Sequence, residues 1–309
     1  MFENIFESLL KGMGSNLFAK TTNIITEISP LFAIGFGLYI VIVALNTYNR
    51  GFDDNFIDLA KRAMGWLIII ACAFNASQYL KIANMLYQLP EYMSGLINSG
   101  SYNATSLDNN MDKLMENMGK IWELKQNIPT LDVPAHLGFT FMWVFIFILV
   151  AFFLTAIAAF YLVAKISLAM VILIGPIFIG AMLFPATRQW GMNWIGQIMN
   201  YAVTVTFYVL LGTIQLDFFE THMLSMTDFS QTTGGTVFSL VMFVPILFMY
   251  ILATIIFFVV ALSIPSIAAA LTGGATIGGY SGVLRSASSI AKQLSIPKLF
   301  NRMNQIKLK

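Results

Sequence analysis

The 309 residues are 58% hydrophobic and only 10% charged, against about 25% charged in an ordinary soluble domain. A mean hydropathy of +0.76 leaves too little polar surface to cover a water-soluble core, and a net charge of +2 is too small to draw in nucleic acid. A single cysteine, Cys72, excludes an intrachain disulfide and a cysteine-built metal site.

The chain therefore reads as an all-α polytopic membrane protein. At its start, "MFENIFESLLKGMGSNLFAK" lacks the basic flank and continuous apolar run of a cleavable signal. Phe2, Ile5, Phe6, Leu9, Leu10, Met13 and Leu17 recur at helical spacing, with Glu3, Glu7 and Lys11 opposite. That pattern predicts an amphipathic helix on the membrane surface or against a partner.

A spanning helix needs about 20 mostly apolar residues. The first candidate is 31–48, entered through Pro30, a residue suited to a helix start; the second is 63–80, softened at its end by Asn75, Ser77 and Gln78. Residues 81–135 are hydrophilic by comparison. Within them Leu107, Met111, Leu114, Met118 and Ile121 follow the helical period, and Met115 and Trp122 widen the stripe. Ser106 fits as its N-cap. This amphipathic helix packs either on its own membrane domain or on a partner.

Beyond the loop lie apolar runs at 137–164, 166–184, 194–211 and 238–264, the last closed by Pro265. Lys165 separates the first two and is expected to snorkel to the surface. The run 166–184 is punctuated by Gly175-Pro176, Gly180 and Pro185. Each proline lacks an N–H, and such backbone survives at membrane depth only where protein or a water-filled cavity satisfies the freed groups. Sister copies of the chain are the expected source of those partners. Arg188, Trp190 and Trp194 follow and suit an interfacial anchor.

Charge sets the orientation. The tail carries Arg285, Lys292, Lys298, Arg302, Lys307 and Lys309 and no acid, which points to a cytoplasmic C-terminus; 211–237 carries Asp217, Glu220 and Asp228 without a base and should lie outside. Six crossings conflict with this pattern. Making 166–184 non-crossing removes the conflict and leaves five to six transmembrane helices, one broken or re-entrant, with the N-terminal amphipathic helix and a helical periplasmic loop. The expected division is 1–29 amphipathic helix, 30–80 first two spans, 81–135 loop, 136–265 C-terminal bundle and 266–309 basic tail.

Catalysis has no visible constellation. His136 and His222 are isolated, "DFFETH" (217–222) fits a solvated link, and "GGATIGGYSG" lacks the Lys-Ser/Thr of a phosphate loop. No enzyme, cofactor or metal is expected. A small-solute transporter or channel is the alternative, but no carboxylate is visible in the core of a span, where a coupled carrier would need one. Interhelical polar residues such as Gln197 and Thr206, together with 18 methionines, suit an assembly component.

One ordered set of positions carries a resemblance. In "LIGPIFIGAMLFPATRQWGMNWIGQIMNYAV" the order is Gly175, Pro176, Phe178, Phe184, Pro185, Arg188, Trp190, Trp194, Asn200 and Tyr201. With the amphipathic start, two early spans and the long loop, this resembles the TrbL family, which includes the sixth VirB protein, the polytopic inner-membrane component of type IV secretion systems. The resemblance covers about residues 25–265. It implies an inner-membrane protein with a periplasmic N-terminus and central loop, a cytoplasmic C-terminus, and a homo-oligomeric ring, expected to be pentameric. It further implies a channel and assembly role in pilus or stalk biogenesis and in conjugation or protein secretion. Expected partners are the fifth VirB-type stalk protein, the eighth and tenth VirB-type proteins, the third–fourth VirB-type ATPase module, membrane lipid, and translocated DNA or protein. The set from Gly175 to Tyr201 is expected to pack the oligomer, and Leu107, Met111, Leu114, Met115, Met118, Ile121 and Trp122 to bind a partner. Six apolar segments depart from the family's usual five crossings.

Overall fold

The computed structural model describes residues 2–48, 56–98, 104–127, 133–232 and 240–273. Among them every regular element is helical: α1 (Phe2–Tyr48), α2 (Phe56–Phe74), α3 (Ala76–Asn98), α4 (Ala104–Glu123), a 3-10 turn (Leu124–Asn127), α5 (Val133–Leu173), α6 (Gly175–Ala181), α7 (Arg188–Thr232) and α8 (Leu240–Thr272). Four stretches are long and apolar enough to cross a membrane: Lys20–Asn46, His136–Leu173, Arg188–His222 and Pro245–Thr272. A fifth is available if Ala60–Phe74 and Ala76–Leu96, bent by 81° at their junction, form one broken span.

These elements revise several expectations. Lys165 does not interrupt anything. Lysine is a good helix former, its head finds partners on α3, and α5 runs unbroken for 41 residues, about 60 Å of helix against about 30 Å of hydrocarbon. The first part of 166–184 is thus the end of the preceding span rather than a separate non-crossing segment. This brings the number of candidate crossings from six to at most five.

The bend that does occur lies at Asn75. Its Oδ1 accepts the Gln78 backbone N–H at 3.1 Å, an N-cap that satisfies one of the orphan donors at the start of α3. α3 therefore begins inside the expected second span and crosses the 80/81 boundary. Pro30 lies within α1 rather than at its start. Pro265 does not close the last span, because α8 continues to Thr272 and ends at Gly273, with φ of 63°, the left-handed conformation glycine adopts most readily. Asp217, Glu220 and His222 sit on α7 rather than in a link. The N-terminal stretch is helical, as its periodicity predicts, but its apolar stripe lies outside the described side chains, as does the basic tail from 274.

Three buried clusters join the helices. Leu114, Met118 and Ile121 of α4 meet Met142 and Ile146 of α5 and Phe219 of α7. Farther along, α5, α7 and α8 close on Phe153, Ile157, Tyr208 and Ala261. At the α6 end, Ile25, Ala73, Tyr79, Ile172, Trp194 and Ile198 come from α1, α2, α3, α5 and α7.

The broken helix and the buried ion pair

The break between α5 and α7 contains two prolines, and a side chain of the same molecule covers each freed carbonyl. Pro176 cannot donate to Ile172, four residues earlier; the Tyr79 hydroxyl of α3 donates to that carbonyl instead. One residue before it, the Val171 carbonyl accepts from Trp194 Nε1 at 2.8 Å. Pro185 cannot donate to Ala181, whose carbonyl accepts from Thr187 Oγ1 at 2.7 Å and, at a longer 3.3 Å, from the Phe184 N–H. A carbonyl left bare in such surroundings costs about 1–3 kcal/mol, so these donors make the interruption tolerable. The expectation that sister copies quench the break is corrected: the partners come from within the chain.

Glycines let the donors approach. A Cβ on Gly175 would overlap the Tyr79 hydroxyl and lie 2.5 Å from Trp194 Cζ2. At Gly180 it would lie 2.8 Å from Phe74 Cζ. Gly191, which the sequence does not single out, is held against Met182 and lies where a Cβ would be 2.9 Å from the Phe178 carbonyl. Phe184 closes this end within an aromatic group, its ring 5.9 Å from Tyr39 and 6.3 Å from Phe32.

Of the ten positions from Gly175 to Tyr201, Gly175, Pro176, Trp194 and Asn200 are buried, whereas Phe178, Phe184 and Tyr201 are half-buried; Pro185, Arg188 and Trp190 are exposed. Trp194, at 6% exposure, is therefore a core staple and not an interfacial anchor. Trp190, at 57%, retains the geometry of one.

Lys165 provides the largest departure from the sequence reading. Its side chain is 1% exposed and does not snorkel. Nζ lies 2.5 Å from Glu91 Oε1, 2.5 Å from the Tyr87 carbonyl and 4.0 Å from the centre of the Tyr87 ring. Lys165 belongs to the candidate span His136–Leu173 and Glu91 to the second half of the bent pair, so a carboxylate lies within a span if that pair is one broken crossing. The acceptor carbonyl sits in the turn that Pro90 disturbs. Removing one member of such a buried pair costs about 3–5 kcal/mol, whereas replacing both with apolar groups is often neutral. An intramembrane lysine was the available signal; the hydrophilic appearance of 81–135 concealed its partner.

On α4 the stripe divides. Leu114, Met118 and Ile121 are buried and Met111 is half-buried, all against the chain's own bundle. Trp143 Nε1 donates to the Met118 carbonyl at 2.8 Å. Met115 and Trp122 stay exposed, with the Trp122 ring 5.0 Å from Trp143 and 4.3 Å from Lys125 Nζ. Leu107 lies outside the described side chains. On the solvent face Lys120 bonds Glu116 at 2.8 Å and holds its carboxyl below the usual range.

The two histidines do not meet. His222 Nδ1 bonds the Phe218 carbonyl within α7 at 2.8 Å, while His136 lies near the start of α5. Among the described residues no three His, Cys, Asp or Glu side chains are grouped to hold a metal ion.

Comparison with known proteins places this architecture. The chain is 32% identical over 112 residues to the type IV secretion system protein VirB6 of Bartonella quintana (strain Toulouse), and equally to VirB6 of Bartonella henselae (strain ATCC 49882 / DSM 28221 / CCUG 30454 / Houston 1). Each alignment covers 36% of this chain and 30% of the relative, so the matched stretch spans less than a third of those proteins. The family described as TrbL/VirB6 plasmid conjugal transfer protein matches residues 36–254. That match takes in all or part of every helix from α1 to α8, and with it this multi-pass membrane protein belongs to the TrbL/VirB6 family.

Proposed function

We propose that the protein is an inner-membrane channel and assembly subunit of a type IV secretion system, acting without catalysis of its own. The family match over 36–254 carries this reading. In it the N-terminus and the part of 81–135 that follows α3 face the periplasm and the tail faces the cytoplasm, as the charge distribution suggests. The same five-part division applies in outline, with α3 carrying its second boundary past residue 80 and α8 its last past residue 265. Copies of the chain form a ring that supports stalk or pilus assembly and passage of DNA or protein. Other VirB-type components, the fifth, eighth and tenth and the third–fourth ATPase module, are its partners.

Several features support an assembly role. The apolar faces of α1 and α2 are unpartnered within one copy: Leu31, Ile34, Leu38, Leu67 and Ile68 are all more than 60% exposed. They can face lipid or neighbouring helices. Met115 and Trp122 on α4 supply an adaptable apolar contact next to the bundle.

The Glu91–Lys165 pair is the one observation that favours solute transport, because it joins an amine inside a span to a carboxylate of the bent pair. The two readings separate in one experiment. Deletion of the gene and complementation in its native host should abolish and restore substrate transfer and surface pilus, and native mass measurement of the purified protein should show several copies. A deletion strain with normal transfer that fails only to take up or export a small solute refutes the secretion reading.

A further inference from the structure

Glu91 of α3 and Lys165 of α5 are paired across the two helices, and their polar requirements are only partly met: Glu91 Oε2 and the Tyr87 hydroxyl have no hydrogen-bond partner among the described residues. A half-satisfied polar group is a poor permanent clamp compared with apolar side chains of similar volume. Its attraction depends steeply on distance at low dielectric, so it holds firmly when closed and weakly once opened.

The surrounding geometry is that of a hinged element. α3 departs from α2 at a single non-helical residue, Asn75, with an 81° change of direction. Its inner face meets α5 and α7 through Tyr79, Ala83, Tyr87 and Glu91, while Lys81, Gln88, Tyr92 and Leu96 are exposed. Near Glu91, among the described residues, the polar contact of α3 with α7 is long, Thr206 Oγ1 to the Pro90 carbonyl at 3.4 Å. Thr206 is buried and already donates within α7 to Ala202 at 2.9 Å, so separation from α3 leaves it satisfied.

We propose that the Glu91–Lys165 pair is the latch of a hinged membrane element: α3 seats on α5 and α7 while the pair is made and swings about Asn75 when it is broken, uncovering Lys165 and Thr206. The device is independent of the secretion reading, since it concerns helices of one copy.

The test uses the full-length protein in lipid nanodiscs with Cys72→Ser as background. Spin labels at Gln88→Cys on α3 and Met170→Cys on α5, both exposed positions, report the seating by pulsed electron resonance. Labels at Met170→Cys and Ile214→Cys on α5 and α7, also exposed, report the bundle. With the native pair, each label pair should give one distance population. In Glu91→Gln and Lys165→Met the 88–170 distance should gain a second population displaced by at least about one helical turn, ~5 Å, with 170–214 unchanged. The exchange Glu91→Lys/Lys165→Glu should restore the single population. Glu91→Asp keeps the charge while shortening the reach, so it accumulates where a neutral variant fails, and it too should show the displaced population. The proposal is overturned by an unmoved 88–170 distance in these variants, by equal disturbance of 170–214, or by an exchanged pair that does not restore the seating.

Discussion

Tyr79 of α3 donates its hydroxyl proton to the carbonyl of Ile172, the group that Pro176 leaves without a backbone partner four residues later. The two residues are 93 positions apart, so the bond ties the bent pair α2–α3 to the broken end of α5. Trp194 repeats the arrangement from the other side, on Val171.

Tyr79→Phe should therefore leave a buried carbonyl bare at nearly unchanged volume. The expected loss is about 1–3 kcal/mol, read as a lower unfolding midpoint of the detergent-solubilised protein. Trp194→Phe should behave alike, and Trp194→Ala should lose more, about 3–5 kcal/mol, because it also opens a cavity. Unchanged midpoints in Tyr79→Phe and Trp194→Phe would show that the break is satisfied in another way.

Gly175→Ala places a methyl group against both donors. Overpacking of this kind costs about 1–3 kcal/mol, and here it also displaces Tyr79 from Ile172. Gly37→Ala is the control, since a Cβ there meets nothing within 4 Å. A midpoint lowered in the first variant and unchanged in the second is the predicted result; equal midpoints would contradict the close approach.

Asn75→Ala removes the cap of α3. Loss of about 0.5–2 kcal/mol is expected, concentrated in that helix. Hydrogen exchange should quicken at the first turn of α3 and stay unchanged in α7. Uniform protection across α3 in the variant would argue against a capped break.

The α4 stripe separates packing from partner contact. Met118→Ala should cost about 2–5 kcal/mol. Met115→Ala should stay within about 0.5 kcal/mol of the parent, and Lys120→Ala should leave the unfolding midpoint unchanged. If α4 also serves a partner, Met115→Ala combined with Trp122→Ala should lower substrate transfer while the unfolding midpoint changes little. Normal transfer in that double variant would leave α4 as a purely internal strut.

Much of this architecture was legible in the sequence. The 3.6-residue period of α4 predicts a helix and its apolar face, and the buried trio Leu114, Met118 and Ile121 follows it. Gly175-Pro176 marks the break to within a residue, because proline chemistry is local. What bridges the break was not legible: Tyr79 and Trp194 act across tertiary contacts, and no spacing rule connects residue 79 to 172. Lys165 misled for a related reason. A lysine between two apolar runs is as consistent with a snorkelling head as with a buried one, and only the approach of α3 decides between them. Hydropathy placed α3 in a hydrophilic loop because Lys81, Gln88 and Glu91 dilute its apolar content, although Lys81 and Gln88 lie on its exposed face and Glu91 is taken up by the ion pair with Lys165.

The most direct test of the proposed five-crossing topology is a comparison of the two ends. In a Cys72→Ser background, a cysteine at Ser8, exposed on α1, and one at Ser295 in the tail would each be treated with a membrane-impermeant maleimide in intact and in opened spheroplasts. The predicted result is labelling of the Ser8 position from outside and of the Ser295 position only after opening. Labelling of both from the same side would require an even number of crossings and would contradict the proposed topology.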